Sequence, residues 1–141
     1  MKLASWWQRV GATLVDVLVM VLPAIVLVVV FRHHPLLYRA VIYVLYALYA
    51  TFLIATPQGQ TLGNRAAGTK VQLASTSGSL TPQQSLIRVV AQVGPVFILG
   101  FLGILALVGW LYTLVDWLYP LWDEKNQTIH DKAAGTLVVV K

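Results

Sequence analysis

The chain of 141 residues has no cysteine, which excludes disulfides, thiolate chemistry and cysteine-based metal sites. Charge is scarce as well: Asp and Glu together number five, and all charged residues make up 11 %. That leaves too little polar surface for a separate soluble domain. A Gly-rich phosphate loop, a His-x-x-x-His pair and a Ser–His–acid set are all missing, so no enzyme, metal or cofactor chemistry is expected. No basic run is interleaved with base-stacking aromatics, so nucleic acid is not an expected partner. No small-residue cleavage site closes the first apolar run, which argues against a cleavable signal peptide. What fills the chain instead is apolar: 58 % hydrophobic residues and a mean hydropathy of +0.75. This is the composition of a small integral membrane protein, with the bilayer as its first partner. The net charge of +5 reads as a signal for topology and anionic lipid.

Residues 10–31 are almost all apolar, and about 20 such residues cross the roughly 30 Å of bilayer hydrocarbon as a helix. Trp6 and Trp7 stand where an aromatic belt anchors such a helix. Inside it lies Asp16, a carboxylate that costs roughly 2.5–3.5 kcal/mol to insert and therefore faces protein or a wet cavity. Arg9 projects from the same helix face, about 10 Å away along the axis. The bland alternative is a structural ion pair or a snorkelling arginine. Residues 36–55 form the second expected span, with Tyr43, Tyr46 and Ala50 on one stripe and tyrosine hydroxyls within reach of Asp16. The adjacent His33 and His34 point apart on a short loop and are not read as metal ligands.

The polar stretch 56–82 holds Thr61-Leu-Gly-Asn-Arg-Ala-Ala-Gly-Thr-Lys-Val71, which aligns without gaps on Thr128-Ile-His-Asp-Lys-Ala-Ala-Gly-Thr-Leu-Val138. Arg65 matches Lys132 in charge. We read two copies of one element: a basic turn, a Gly-Thr and a short strand, each following a membrane section. Between them residues 86–122 are apolar apart from Arg88, Gln92 and Asp116. As one helix they would be about 55 Å long, too long for one crossing. They are read either as an interfacial helix before one span or as two short spans joined near Gly100–Gly103.

Pairing of the two strands would put both on one side of the membrane and require an even number of crossings between them. Charge agrees. Three spans divide Lys and Arg five against five, whereas four divide them eight against two, with only Arg32 and Arg39 on the far side. The expected fold is therefore an all-α integral membrane protein. It has four membrane-embedded helices (three being the alternative), two cytoplasmic strand–turn elements and both termini cytoplasmic. Residues 1–141 form one domain with tandem halves 1–74 and 75–141, a plan found in transporters. In that arrangement Asp16 and Asp116 sit at similar depth and would share a proton or a cation.

The patterns Trp6-x-x-Arg9-x-x-Ala12-x-x-x-Asp16, Gln58-Gly-Gln-Thr-Leu-Gly63 and His130-Asp131-Lys-Ala-Ala-Gly-Thr136-Leu-Val138 together resemble the RDD family of bacterial membrane proteins. The resemblance covers nearly the whole chain. It identifies Arg9, Asp16 and Asp131 with the arginine and two aspartates that give the family its name, while Asn64 departs from the usual lysine. It implies transport of a small ligand, with some members looking like sodium–proton exchangers. The leading functional expectation is transport of a small cation or ligand, in an inner membrane and as a homo-oligomer. Na⁺ or H⁺ would exchange at Asp16, and Arg9 with Asp131 would form a cytoplasmic latch aided by His130. Asp116, His130, Tyr43, Tyr46, Arg65 and Arg88 are the further candidates around that site. The alternative is a non-enzymatic assembly, scaffold or lipid-interacting module in which Arg9, Asp16 and Asp131 are structural.

Overall fold

In the computed structural model, which describes residues 2–141, a bundle of long helices carries a small sheet at one end. Helix α1, Trp6–Val30, starts from a capping box: the Ser5 hydroxyl accepts from the Gln8 N–H while the Gln8 side chain accepts from the Ser5 N–H. It runs through Pro23 without a break. Only Ala12 and Asp16 are buried along it. Leu18, Leu22, Val26 and Val29 point outward, as on a helix solvated by lipid. Helix α2, Pro35–Ile54, opens with proline at its first position and buries Ala50 and Ile54 near its end.

The apolar stretch 86–122 is not one helix. Helix α4, Pro82–Leu99, has its own capping box from Thr81 and Gln84 and stops at Gly100. Gly103, at φ +59°, leads into a 3₁₀ turn, Gly103–Leu105, and then helix α5, Ala106–Leu118. The two helices pack as an antiparallel hairpin. The Tyr112 hydroxyl donates to the Ala91 carbonyl, and a Cβ on Gly109 would lie 2.9 Å from the Val96 Cα. Among the described residues three helices are long and apolar enough to cross a membrane: Trp6–Val30, Pro35–Ile54 and Gly103–Leu121. Helix α4, with Gln83, Gln84, Arg88 and Gln92 along it, is not one of them.

Strand β1, Thr69–Leu73, pairs antiparallel with β2, Thr136–Val140, with Val71 opposite Val138. Leu3 bridges to Val139 and the Ala4 N–H donates to the Val138 carbonyl, so the segments near the two ends of the chain lie side by side. Ala4, Val71 and Val138 form one core with Ala50, Ile54, Leu80 and Val89, joining the sheet to the ends of α2 and α4.

A short helix precedes each strand: α3, Leu62–Ala66, before β1 and α6, Ile129–Ala134, before β2. The aligned residues of these two segments make the same bonds. Thr61 and Thr128 cap the helices, accepting from the Asn64 and Asp131 N–H groups. The Gln60 and Gln127 amides donate to the carbonyls of Thr69 and Thr136 at 2.6 and 2.8 Å. Gly68 and Gly135 both take left-handed backbone at φ +66° and +63°, the conformation that ends each helix and turns the chain into its strand.

Candidate functional site

Asp16 reaches from α1 to the start of α3. One of its oxygens accepts the Gly63 N–H at 2.8 Å and the Tyr49 hydroxyl at 2.6 Å; the other accepts the Thr61 hydroxyl at 2.7 Å. The Tyr49 oxygen in turn accepts the Leu62 N–H at 3.0 Å. Free N–H groups at a helix start favour a negative charge. The approach depends on Gly63, where a Cβ would come within 1.9 Å of the Ala12 carbonyl oxygen and 2.7 Å of the Asp16 Cγ. Asp16, 5 % exposed, is thus a buried carboxylate in use as a clamp between two helices.

Around α6 the same geometry carries more charge. Asp116, on α5, accepts the His130 N–H at 3.0 Å and lies 2.6 Å from His130 Nδ1 through its second oxygen. Asp131, fully buried, accepts from Arg9 Nη1 at 2.7 Å on Oδ2, which also takes the Thr128 N–H. Its Oδ1 is gripped by Arg88 through Nε at 3.0 Å and Nη2 at 2.9 Å. Burial opposes ionisation of Asp131, but the Arg88 and Arg9 guanidiniums, with His130, outweigh it and hold the carboxyl far below its ordinary range.

Two cavities lie in series along the bundle. The first, about 70 Å³, is the more polar of the two, its wall shared about equally between polar residues such as Arg9, Asp16, Arg88, Gln92 and His130 and apolar ones such as Ala50 and Ile54. The second, about 450 Å³, is largely apolar and reaches Arg39 and Gly100 at the other end, with Val17, Met20, Phe97 and Trp110 in its wall. Tyr46 lines both. Each cavity takes residues from α1, α2, α4 and the Gly103–Leu121 helix.

The structure therefore brings Arg9, Arg88 and Asp131 into one cluster, with His130 and Asp116 beside it and Asp16 lining the same cavity as Arg9 and Arg88. Arg9 pairs with Asp131, as the expected latch requires, and not with Asp16, because α6 inserts its carboxylate at the start of α1. Asp16 and Asp116 form no shared site: each is taken up by its own short helix, and Asp116, 1 % exposed, is closed off by His130. Tyr43 lies in the second cavity, stacked edge-on against Phe97 at 5.4 Å, and Arg65 is exposed on α3 away from the cluster. Among the second-span tyrosines expected within reach of Asp16, Tyr49 is the one that bonds to it, and Thr61, which was not singled out, binds it as well. Tyr49 stands at the same spacing from Asp116 as Thr61 does from Thr128, so extending the repeat upstream would have found it.

Long lipid-facing helices around a buried ionic cluster, closed at one end by a sheet, define an integral membrane protein. The particular family follows from the whole chain: the model of the RDD family matches residues 3–135, and this protein belongs to the RDD family. No curated protein and no solved structure matches the chain.

Proposed function

We propose that this protein is a non-enzymatic carrier of a small ligand through the membrane, with H⁺ or Na⁺ exchanging at Asp16. The observation that carries the reading is the pair of cavities in series, polar then apolar, meeting at Tyr46 among four helices. A carboxylate in low dielectric takes H⁺ or a small cation competitively, and Asp16 stands in the wall of the polar cavity. In this reading α4 is embedded with the other helices, and the hairpin α4–α5 enters and leaves on one side. Pairing of β1 with β2 and of Leu3 with Val139 supports that topology. Both termini then lie on the cytoplasmic side of an inner membrane, where eight of the ten Lys and Arg residues fall. The matched bonding around α3 and α6 supports tandem halves, 1–74 and 75–141. A second copy of the chain would complete the walls of so small a carrier.

The test is flux in vesicles of purified protein under an imposed Na⁺ or H⁺ gradient. Wild type moves the ion and Tyr46→Trp blocks it with the fold intact; a folded wild type that moves neither ion overturns the exchange. Labelling of Lys2→Cys and Lys141→Cys from opposite sides would overturn the topology.

A second reading, an assembly module, is favoured by the clamp geometry itself: Asp16 and Asp131 are each fully engaged in tying helices together. It predicts no flux, with Asp16→Asn lowering stability or oligomerisation.

A further inference from the structure

Arg9 is only half used. Its Nη1 is spent on Asp131, but its Nε and Nη2 are buried and have no hydrogen-bond partner. In a guanidinium these two N–H groups lie on the same edge and form the fork that matches two oxygens of one oxyanion. Arg88 shows the fork in use here, since the same pair, Nε and Nη2, grips Asp131. Buried donors left without acceptors are costly, so an acceptor is called for.

The protein does not supply one. Asp131 is saturated by Arg88, Arg9, the Thr128 N–H and the Thr136 hydroxyl. Asp116 is engaged by His130 and does not line this cavity. Asp16 does line it, but its oxygens face Tyr49, Thr61 and Gly63, two turns further along α1. Two guanidiniums around Asp131 leave one positive charge over at the Arg9 end, with Asp16, two turns away, as the remaining carboxylate in the cavity wall. A bare cation is poorly suited to that end; an anion is well suited.

We propose that the Nε–Nη2 edge of Arg9 binds a small oxyanion group in the polar cavity, of phosphate or carboxylate type. Its source is either a free anion or the phosphate of a lipid headgroup, for Arg9 lies in the first turns of α1, beside the interfacial Trp6. This deepens the carrier reading by naming the ligand class at the Arg9 end of the cavity, two turns along α1 from Asp16, and it rests on that cavity admitting a ligand. Its test is binding without flux, so the two fail separately.

Inorganic phosphate is titrated calorimetrically into protein held in detergent at constant ionic strength. Lipid retained through purification is identified by native mass spectrometry. Arg9→Lys keeps the charge toward Asp131 and removes the fork. A free anion gives saturable phosphate binding that Arg9→Lys weakens about tenfold or more, the loss of a charge-assisted pair of bonds. A headgroup gives a retained phospholipid that Arg9→Lys loses and added phosphate displaces. Should Arg9→Lys fail to fold, the Nε–H resonance of Arg9 in ¹⁵N-arginine-labelled wild type must shift on phosphate addition. Absence of both phosphate binding and retained lipid, or binding unchanged by Arg9→Lys, overturns the proposal and leaves the fork merely buried.

Discussion

The segments around α3 and α6 share a backbone but not an electrostatic solution. In both, a threonine caps a short helix, a glutamine ties the preceding loop to the strand, and a second threonine, Thr69 or Thr136, bonds back to the helix. At the third helical position the first segment has Asn64 and the second Asp131. The neutral amide is satisfied locally by Thr69. The carboxylate has to draw in Arg9 from α1 and Arg88 from α4. At the second position, Gly63 admits the backbone of α1 directly, whereas His130 fills that space and meets Asp116 instead. One backbone design thus makes a close-packed clamp on one side and an ionic clamp on the other, and the ionic one ties three helices into a single unit.

Converting the second segment into the first tests this most severely. Asp131→Asn leaves two buried guanidiniums facing an amide, and removing one partner of a buried ion pair costs about 3–5 kcal/mol. Thermal unfolding in detergent should show it as the largest loss among single changes at these clamps. The pH dependence follows from the same group. Asp131 has its carboxyl lowered in the folded state, so its contribution is complete above the unfolded value of about 4. It is lost progressively as acid takes the pH below that value toward the folded one. Wild type should therefore lose stability with falling pH below about 4, and Asp131→Asn should lack most of that slope.

Gly63→Ala attacks the close-packed clamp. The added methyl must displace the Ala12 carbonyl or Asp16, an overpacking cost of about 1–3 kcal/mol in the same assay. Asp16→Asn should cost about 1.5 kcal/mol, since an amide retains the shape but weakens the charge-assisted bonds to Gly63, Tyr49 and Thr61. If it costs as much as Asp131→Asn, the two clamps do not differ in the way proposed. Lys132, 2.5 Å from Asp123 but in solvent, offers the smallest effect: Lys132→Gln should leave unfolding unchanged.

Much of this could be read before any coordinates. The gapless match of Thr61–Val71 with Thr128–Val138 located both short elements, because turn glycines and strand valines are local signals, but the basic turn expected in each copy is a short helix capped by its threonine. The alternation from Lys70 to Leu73 carried the first strand for the same reason. The partners of the carboxylates were less legible. The family motif pointed to Arg9 with Asp131, but the contact of Asp16 with the start of α3, far along the chain, is one on which helical periodicity is silent. Arg88 looked like an interruption in an apolar run until α4 turned at Gly100 and laid it beside Asp131.

By itself the sequence determined that the chain is apolar enough for a bilayer, where its second long helix and its short strands lie, and that one element occurs twice. Those properties depend on residues adjacent along the chain. Only the tertiary structure decided which base meets which acid, that Tyr46 stands between a polar and an apolar cavity, and that the fork of Arg9 is left open. Charge pairing in a low-dielectric interior is settled by which helices touch, and that depends on the packing of the whole bundle.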